Sequence, residues 1–184
     1  MIYIISGASR SGKTLLAKRI LKDKGVTYLS LDWLMMGFNT GIPEYGIHHL
    51  LFPDDIARRM WSFLKGMIES MIHVKEDCVI EGEAILPELI TELVKEHPNH
   101  IKVCFLGYAD VEVAKKVEEI KTFSNGEHDW LLKESDEYII DHTKNMIDHS
   151  KMIQNSCRKY GFDYFDTSND FESALKKATD SIIG

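Results

Sequence analysis

The stretch Gly7-Ala8-Ser9-Arg10-Ser11-Gly12-Lys13-Thr14 decides the fold of this chain, because it matches the pattern GxxxxGK[ST]. Its glycines allow the backbone to fold around a phosphate with the N–H groups pointing inward. The Lys13 ammonium is expected to reach the β- and γ-oxygens of ATP, and the Thr14 hydroxyl to hold Mg²⁺. The residues predicted to contact the nucleotide are Gly7, Ser9, Arg10, Ser11, Gly12, Lys13 and Thr14.

Both flanks of this loop have the character that it requires. Residues 2–6 form a short β-branched run typical of a buried strand, and residues 14–24 carry apolar side chains at helical spacing. Gly25 closes that helix. A second strand is predicted over 26–31, ending at Asp32. The loop therefore lies between a strand and a helix, as the motif demands.

The remaining chain repeats this alternation. Residues 40–53 are predicted to be irregular, and Asp54 is predicted to cap a helix whose apolar stripe continues to Ile72. Further strands are predicted over 78–80, 101–106 and 162–165, and further helices over 87–97, 111–121, 135–160 and 171–182. Apolar strands alternating with helices predict an α/β fold, with a parallel sheet covered by helices on both faces.

Composition limits the class of protein. With 184 residues, 44% of them hydrophobic, the chain suits one domain over 1–184. A net charge of -7 argues against nucleic acid as the main partner. The three cysteines are widely spaced, which favours buried free thiols. No apolar stretch approaches the roughly 20 residues that a membrane crossing needs, and residues 1–5 are too short for a signal peptide, so a cytoplasmic protein is expected.

With this loop and this element order, the chain resembles the small P-loop kinases related to adenylate kinase, shikimate kinase, gluconate kinase and chloramphenicol phosphotransferase. The resemblance implies a three-layer P-loop NTPase fold with a five-stranded parallel sheet of order 2-3-1-4-5. It also implies a substrate-binding helical region over about residues 33–75 and a lid over about residues 122–134. Transfer of the γ-phosphate of Mg-ATP to a small-molecule acceptor is the activity that such a resemblance implies.

Three carboxylates follow the second and third predicted strands. In related kinases that phosphorylate hydroxyl groups, an aspartate at the position of Asp32 accepts the proton of the acceptor or helps to hold Mg²⁺. Glu81 ends the third strand, where a carboxylate can order a magnesium-bound water. The predicted metal-binding residues are therefore Thr14 and Glu81. Glu83 lies two residues further on and is expected to face the same cleft.

The acceptor segment departs from the adenylate kinase pattern. Those enzymes usually carry Asp-Gly-Phe-Pro-Arg where this chain has Glu-Gly-Glu-Ala-Ile-Leu-Pro over 81–87. The missing arginine argues against a nucleotide acceptor and favours a neutral or hydroxyl-bearing one. Arg58 and Arg59 lie early in the helix after strand two, where related kinases place an arginine against a substrate anion. Residues predicted to contact the acceptor are Asp32, Arg58, Arg59, Glu81 and Glu83.

The lid departs from the family as well, because residues 122–133 contain no arginine. Related kinases often use lid arginines to neutralise the transferring phosphoryl group. Arg10 is a candidate replacement from inside the loop, and Lys116, Lys121 and Lys133 flank the lid. The predicted catalytic residues are Lys13, Asp32, Arg10 and Arg58.

Other polar residues have weaker predictions. His142 and His149 are predicted to be solvated helix residues, without a metal. His48 and His49 are candidates for lining the acceptor pocket. The turn over 166–169 follows the last strand, where related proteins contact the adenine base through backbone groups.

Three functions fit the sequence. The first is a kinase that phosphorylates a metabolite hydroxyl. The second is a nucleotide-binding regulatory module that transfers no phosphate to a metabolite, which the arginine-free lid favours. The third is a nucleoside monophosphate kinase with an atypical acceptor site. The identity of the acceptor, the choice between ATP and GTP, and the oligomeric state cannot be read from these residues.

Overall fold

A single sheet of five parallel strands carries the loop. The strands are β1 Ile2–Gly7, β2 Thr27–Ser30, β3 Cys78–Glu81, β4 Ile101–Gly107 and β5 Tyr164–Asp166. Their order, β2-β3-β1-β4-β5, confirms the predicted one. This computed structural model describes residues 1–123 and 129–184.

Seven helices lie within the described residues, and they cover both faces of the sheet. They are α1 Lys13–Lys24, α2 Leu31–Gly41, α3 Pro53–His73, α4 Pro87–Glu96, α5 Val113–Phe123, α6 Asp136–Tyr160 and α7 Phe171–Ile183. Short 3-10 turns span Pro43–Tyr45 and Trp130–Lys133. A bilayer crossing needs a length and an apolar surface that no helix in this part of the chain combines.

The central strand β1 explains the three layers. Every residue of β1 is buried, and successive side chains of a strand point to opposite faces of the sheet. Ile2 and Ile4 pack into the core formed with α3, α4 and α6, whereas Tyr3 and Ile5 pack into the core formed with α1 and α7. The free thiols Cys78, Cys104 and Cys157 are all buried, as predicted.

Helix α2 is a correction to the predicted element order. The sequence predicts a strand that ends at Asp32, but β2 ends at Ser30 and α2 begins at the next residue. Glycine, asparagine and threonine are weak helix formers and make up much of its second half. Its apolar residues Leu31, Leu34, Met35 and Phe38 do recur at helical spacing, but they follow the strand without a break and span only two turns, so the pattern does not by itself identify a helix. Asp32 therefore lies in the first turn of a helix and not at the end of a strand.

The start of α3 differs from its prediction too. Phe52 occupies the capping position and Pro53 the first helical position, because proline is preset for a first turn and lacks an N–H that would need a partner. Asp54 lies inside the first turn. The predicted apolar stripe is confirmed at its centre, where Met60, Leu64 and Ile68 are completely buried.

The predicted lid is described only in part. Helix α5 continues to Phe123, and a 3-10 turn begins at Trp130. Asn125 and Gly126, the predicted turn of the lid, lie outside the described residues. The Ser135 hydroxyl accepts a hydrogen bond from the Tyr138 N–H over 3.2 Å, which caps α6 where the sequence predicts its start.

Gly7 ends β1 in a conformation that only glycine adopts without strain, with φ of 126°. A Cβ added there would lie 1.9 Å from the carbonyl oxygen of Leu106. We expect Gly7→Ala to lower the free energy of unfolding by at least about 2 kcal/mol, measured by urea denaturation. Gly66→Ala is the control, since nothing lies within 4 Å of its added Cβ, and it should stabilise α3 by about 0.5–1 kcal/mol. Equal midpoints for Gly7→Ala and the wild type would contradict this.

Candidate functional site

The loop between β1 and α1 is held in shape by side chains from elsewhere in the fold. Arg10 and Gly12 have positive φ angles of 57° and 98°, which turn the backbone sharply. The buried Tyr108 donates its hydroxyl to the Ser9 carbonyl over 2.5 Å. A Cβ built on Gly12 would lie 2.9 Å from the Phe171 ring, so α7 packs directly against the loop. The loop therefore has a fixed shape before any ligand binds.

Two polar groups of the loop are arranged for an anion. The Ser11 hydroxyl is fully buried, and within residues 1–123 and 129–184 it has no hydrogen-bond partner. Such a group costs about 1–3 kcal/mol unless a ligand satisfies it. Lys13 is 6% exposed, and its ammonium donates to the Ala8 carbonyl of the same loop over 2.6 Å. The positive end of α1 points at the same place, so the loop fits a nucleotide phosphate.

The sheet brings Glu81 next to Thr14. Glu81 is the last residue of β3, which lies directly beside β1 and pairs Glu81 with Ile5. One carboxylate oxygen lies 3.4 Å from the Thr14 hydroxyl, and the other accepts a hydrogen bond from the Tyr28 hydroxyl over 2.7 Å. Carboxylate and hydroxyl oxygens are the ligands that Mg²⁺ prefers. The two predicted metal-binding residues are therefore adjacent, and their donor atoms fit this ion.

Asp32 and Glu83 complete an acidic group around Lys13. The Glu83 carboxylate lies 3.9 Å from the Lys13 ammonium. Asp32 is an exposed residue at the rim of the cleft, and the pKa of its carboxyl is raised, chiefly by partial desolvation and next by Glu83; Lys13 opposes the shift. A Cβ on Gly82 would lie 2.6 Å from the Leu31 Cβ. Glycine at position 82 thus lets the end of β3 approach the start of α2, which brings Asp32 to this group.

Arg10 is bound by a residue that the sequence analysis did not identify. Both terminal nitrogens of its guanidinium donate to Asp129, over 2.6 and 2.5 Å. The Asp129 side chain is only 7% exposed, and its pKa is lowered, chiefly by the hydrogen bonds from Arg10. Asp129 precedes the 3-10 turn in the lid region. A lone arginine inside a glycine-rich loop was the only sequence signal that such a partner was needed.

This ion pair has a testable effect on stability. We expect Asp129→Asn to lower the free energy of unfolding at pH 7 by about 1–3 kcal/mol, because a charge-assisted pair is lost from a partly buried place. The lowered pKa means that the contribution is present above about pH 4, the ordinary pKa of aspartate, and disappears as the pH falls through the lowered value. Urea denaturation of both proteins between pH 7 and pH 3 measures the difference.

The control is Asp136→Asn, which breaks the exposed pair between Lys121 and Asp136. The Lys121–Asp136 pair joins α5 to α6, and its loss should lower the free energy of unfolding by less than about 1 kcal/mol. If both variants lose the same amount, Asp129 and Arg10 do not form a stabilising pair.

Two of the lysines that flank the lid have partners: Lys121 pairs with Asp136, and Lys116 is held between a ring and a carboxylate. Lys116 is buried, with its ammonium 4.1 Å from the centre of the Tyr108 ring and 3.3 Å from the Glu119 carboxylate. Burial lowers the pKa of Lys116, against the opposing effect of Glu119. Lys116 thus supports the tyrosine that holds the loop, and the structure gives it no contact with the loop itself.

The prediction that His142 and His149 are solvated is wrong. His142 stacks on Tyr138, and the two ring planes differ by 8°; its other neighbour is Trp130, at 5.3 Å between ring centres. Burial and the Arg10 cation lower the pKa of His142. His149 is 11% exposed, and its Nε2 atom lies 3.1 Å from the Asp54 carboxylate. The Tyr138 ring lies four residues before His142 in the same helix, a neighbour that helical spacing does indicate, whereas the Asp54 partner of His149 comes from another helix and could not be read from local sequence.

Arg58 and Arg59 do not join the group around Lys13. Arg58 donates to the Glu88 carboxylate of α4 over 2.9 Å. Arg59 donates to the Gly46 carbonyl over 2.5 Å and so fastens the segment that precedes α3. The structure therefore supplies no contact between either arginine and the phosphate-binding loop.

Among the other predicted residues, the turn after β5 is placed beside the loop. The N–H groups of Ala109 and Ser168 donate to the Asp166 carboxylate, over 2.9 and 2.8 Å. This turn leads into Phe171, the residue that packs on Gly12. His48 is half-buried and His49 exposed, and no side-chain hydrogen bond from either reaches the acidic group within the described residues.

No protein-family model and no curated protein sequence matches the chain. Solved structures do match: a gluconokinase from Sinorhizobium meliloti has a TM-score of 0.57 at 15% identity, covering 98% of this chain and 90% of its own. A shikimate kinase from Bacteroides thetaiotaomicron has a TM-score of 0.58 at 16% identity, covering 98% and 97%.

A sugar kinase from Janibacter has a TM-score of 0.53 at 16% identity, and the match covers 99% of this chain and 95% of that one. Identities of this size show the fold and leave the substrate open. Since each match covers nearly the whole of both chains, this chain has the fold of the small P-loop kinases.

Proposed function

We propose that this protein is a kinase that transfers the γ-phosphate of Mg-ATP to a hydroxyl group of a small metabolite. One observation carries the proposal: the loop that fits a phosphate is bordered by Lys13 and by three carboxylates, Asp32, Glu81 and Glu83. A phosphate-binding loop alone would serve a regulatory protein equally well. A carboxylate with a raised pKa beside it is what an acceptor hydroxyl requires.

Each residue of the site has a separate role in the proposed transfer. The N–H groups of the loop and the Lys13 ammonium bind the phosphates, and Ser11 gains the hydrogen-bond partner that it lacks. Thr14 and Glu81 would hold Mg²⁺, which when bound spreads the negative charge of the transferring group. Asp32 accepts the proton of the acceptor hydroxyl while the hydroxyl oxygen attacks the γ-phosphorus. The bond between that phosphorus and the bridging oxygen of ADP breaks, and ADP leaves.

Arg10 is the candidate for the cation that related kinases take from the lid. Asp129 uses two of its five N–H donors. The remaining donors stay free to stabilise charge on the transferring group, and the ion pair fixes the guanidinium in one position. Arg10, held beside the loop, would thereby take the role that a lid arginine has in related kinases.

A second candidate function is a nucleotide-binding regulatory module. The same ion pair favours it, because Asp129 neutralises the only arginine in the loop. A nucleoside monophosphate kinase has less support, since Arg58 and Arg59 are engaged at a distance from the acidic group. The cytoplasmic location remains a prediction, in keeping with the three free thiols.

The test is a search for the product. The protein is incubated with a metabolite extract and Mg-ATP labelled in the γ-phosphate, or with labelled GTP, and new phosphorylated compounds are identified by mass spectrometry. Calorimetry with each nucleotide and Mg²⁺ measures binding separately. A labelled product supports the kinase; binding of ATP without any product supports the regulatory module; no binding contradicts both.

A further inference from the structure

Every arginine of this chain already has a partner within the protein. The five arginines are those at positions 10, 19, 58, 59 and 158. Their partners are Asp129 for Arg10, Glu172 for Arg19, Glu88 for Arg58, the Gly46 carbonyl for Arg59 and Asn155 for Arg158. Arginine is the side chain best suited to bind a carboxylate or a phosphate in two places at once. A carboxylate or phosphate on the acceptor would therefore need a residue other than arginine as its partner.

The acceptor side of the cleft offers no lysine in its place. Between residues 26 and 74 the only lysine is Lys65, which lies 3.7 Å from the Glu69 carboxylate and 3.6 Å from that of Glu96. Lys13 is committed to the phosphates of ATP. On the acceptor side of the cleft, over residues 26–74 of the described chain, no arginine or lysine therefore remains without a partner for an anionic group of the acceptor.

The charges that do face the acceptor are negative. If Glu81 and Thr14 hold Mg²⁺ and Lys13 binds phosphate, Asp32 and Glu83 remain as uncompensated carboxylates. An anionic acceptor placed within several ångströms of them would be repelled, and a cationic one attracted. The phosphate end of the cleft is marked independently by the buried, unpartnered Ser11 hydroxyl. The acidic group thus borders the position from which an acceptor must approach the γ-phosphate.

An exposed aromatic ring adds to this character. Trp33 follows Asp32 and is 62% exposed. It packs at 5.5 Å, nearly perpendicular, against Tyr28, whose hydroxyl bonds Glu81. The faces of tryptophan rings attract ammonium groups and apolar carbon, and they do not attract carboxylates. The Trp33 ring therefore favours the same kind of acceptor as the carboxylates of Asp32 and Glu83 do, one that carries no negative charge.

We propose that the acceptor is a hydroxyl compound without a carboxylate or phosphate group, either a neutral polyol or an amine-bearing compound such as an amino sugar or amino alcohol. This inference rests on the proposed kinase function. It excludes sugar acids, sugar phosphates and nucleotides as acceptors.

Fractionation of the metabolite extract tests the inference. The extract is separated by ion exchange at pH 7 into anionic, neutral and cationic pools, and each pool receives the wild-type protein and labelled Mg-ATP. We expect labelled product from the neutral or the cationic pool. Product from the anionic pool alone would overturn the inference and leave the kinase function standing. No product from any pool, nor from the whole extract, would overturn the kinase function and this inference with it.

A second measurement uses the acceptor found in the active pool and the same compound carrying a carboxylate far from the phosphorylated hydroxyl. We expect kcat/KM to fall at least about tenfold for the carboxylate form. In Glu83→Gln this penalty should shrink several-fold. Glu44→Gln is the matched control, because Glu44 is an exposed carboxylate of the acceptor region with no contact to Lys13, and it should keep the full penalty. An unchanged penalty in Glu83→Gln would contradict the role of the acidic group.

Discussion

Replacing Lys13 by alanine is expected to lower the rate of phosphate transfer by about 10²–10³ or more. The ammonium is almost completely buried at the start of α1 and lies against the loop carbonyl of Ala8. No other cation of the described residues lies at that position, so the γ-phosphate charge that develops during transfer would lose its nearest protein partner. Glu83, 3.9 Å away, would also lose its counter-charge and repel the nucleotide.

The measurement is kcat/KM for labelled phosphate transfer, together with calorimetry of Mg-ATP binding. Lys13→Ala should weaken ATP binding and slow the transfer. Lys18→Ala removes an exposed lysine of the same helix and should leave both quantities within about twofold of wild type. Wild-type transfer by Lys13→Ala would show that the loop does not bind the reacting phosphate.

Asp32→Asn is expected to keep ATP binding and to lower the transfer rate by about 10²–10⁴, the range for loss of a general base. Asparagine has nearly the same shape but cannot accept the proton of the hydroxyl. Since partial desolvation and Glu83 raise the pKa of the carboxyl, the ionised form is disfavoured by folding. Asp32→Asn should therefore not destabilise the protein at pH 7, so that loss of activity and loss of stability can be separated.

The pH dependence follows from the same shift. A base must be deprotonated to act, so the rate should rise with pH through the raised pKa of Asp32, at a pH above the ordinary value of about 4 for aspartate. Glu83→Gln removes one cause of the shift and should move that rise to lower pH. Asp55→Asn, an exposed carboxylate of α3, is the control and should leave the profile unchanged. Full turnover by Asp32→Asn would transfer the role of base to Glu83.

Local sequence was sufficient for the loop and for most elements. The spacing of glycine, lysine and threonine over residues 7–14 specifies a backbone that only a few residues can form. Short continuous apolar runs predicted all five strands, and apolar spacing of three and four predicted six of the seven helices in the described part of the chain. The missed helix, α2, is stabilised by the burial of Leu31 and Phe38 against the rest of the fold, and only its second half, with glycine, asparagine and threonine, has low helical propensity.

Only some residues of the candidate site could be predicted from local sequence. Asp32, Glu81 and Glu83 could be predicted because the carboxyl ends of parallel strands meet at one edge of a sheet. The partner of Arg10 could not, because Asp129 is 119 positions away in the chain. The ion pair between Arg58 and Glu88 of α4 could not be predicted either, nor could the contact of His149 with Asp54 of α3.

The sequence by itself determined that this chain builds a phosphate-binding loop between a strand and a helix, since that geometry depends on eight consecutive residues and their backbone angles. Only the tertiary structure decided which charges face the loop. Ion pairs form between side chains that folding brings within a few ångströms of each other, and no local pattern records that distance.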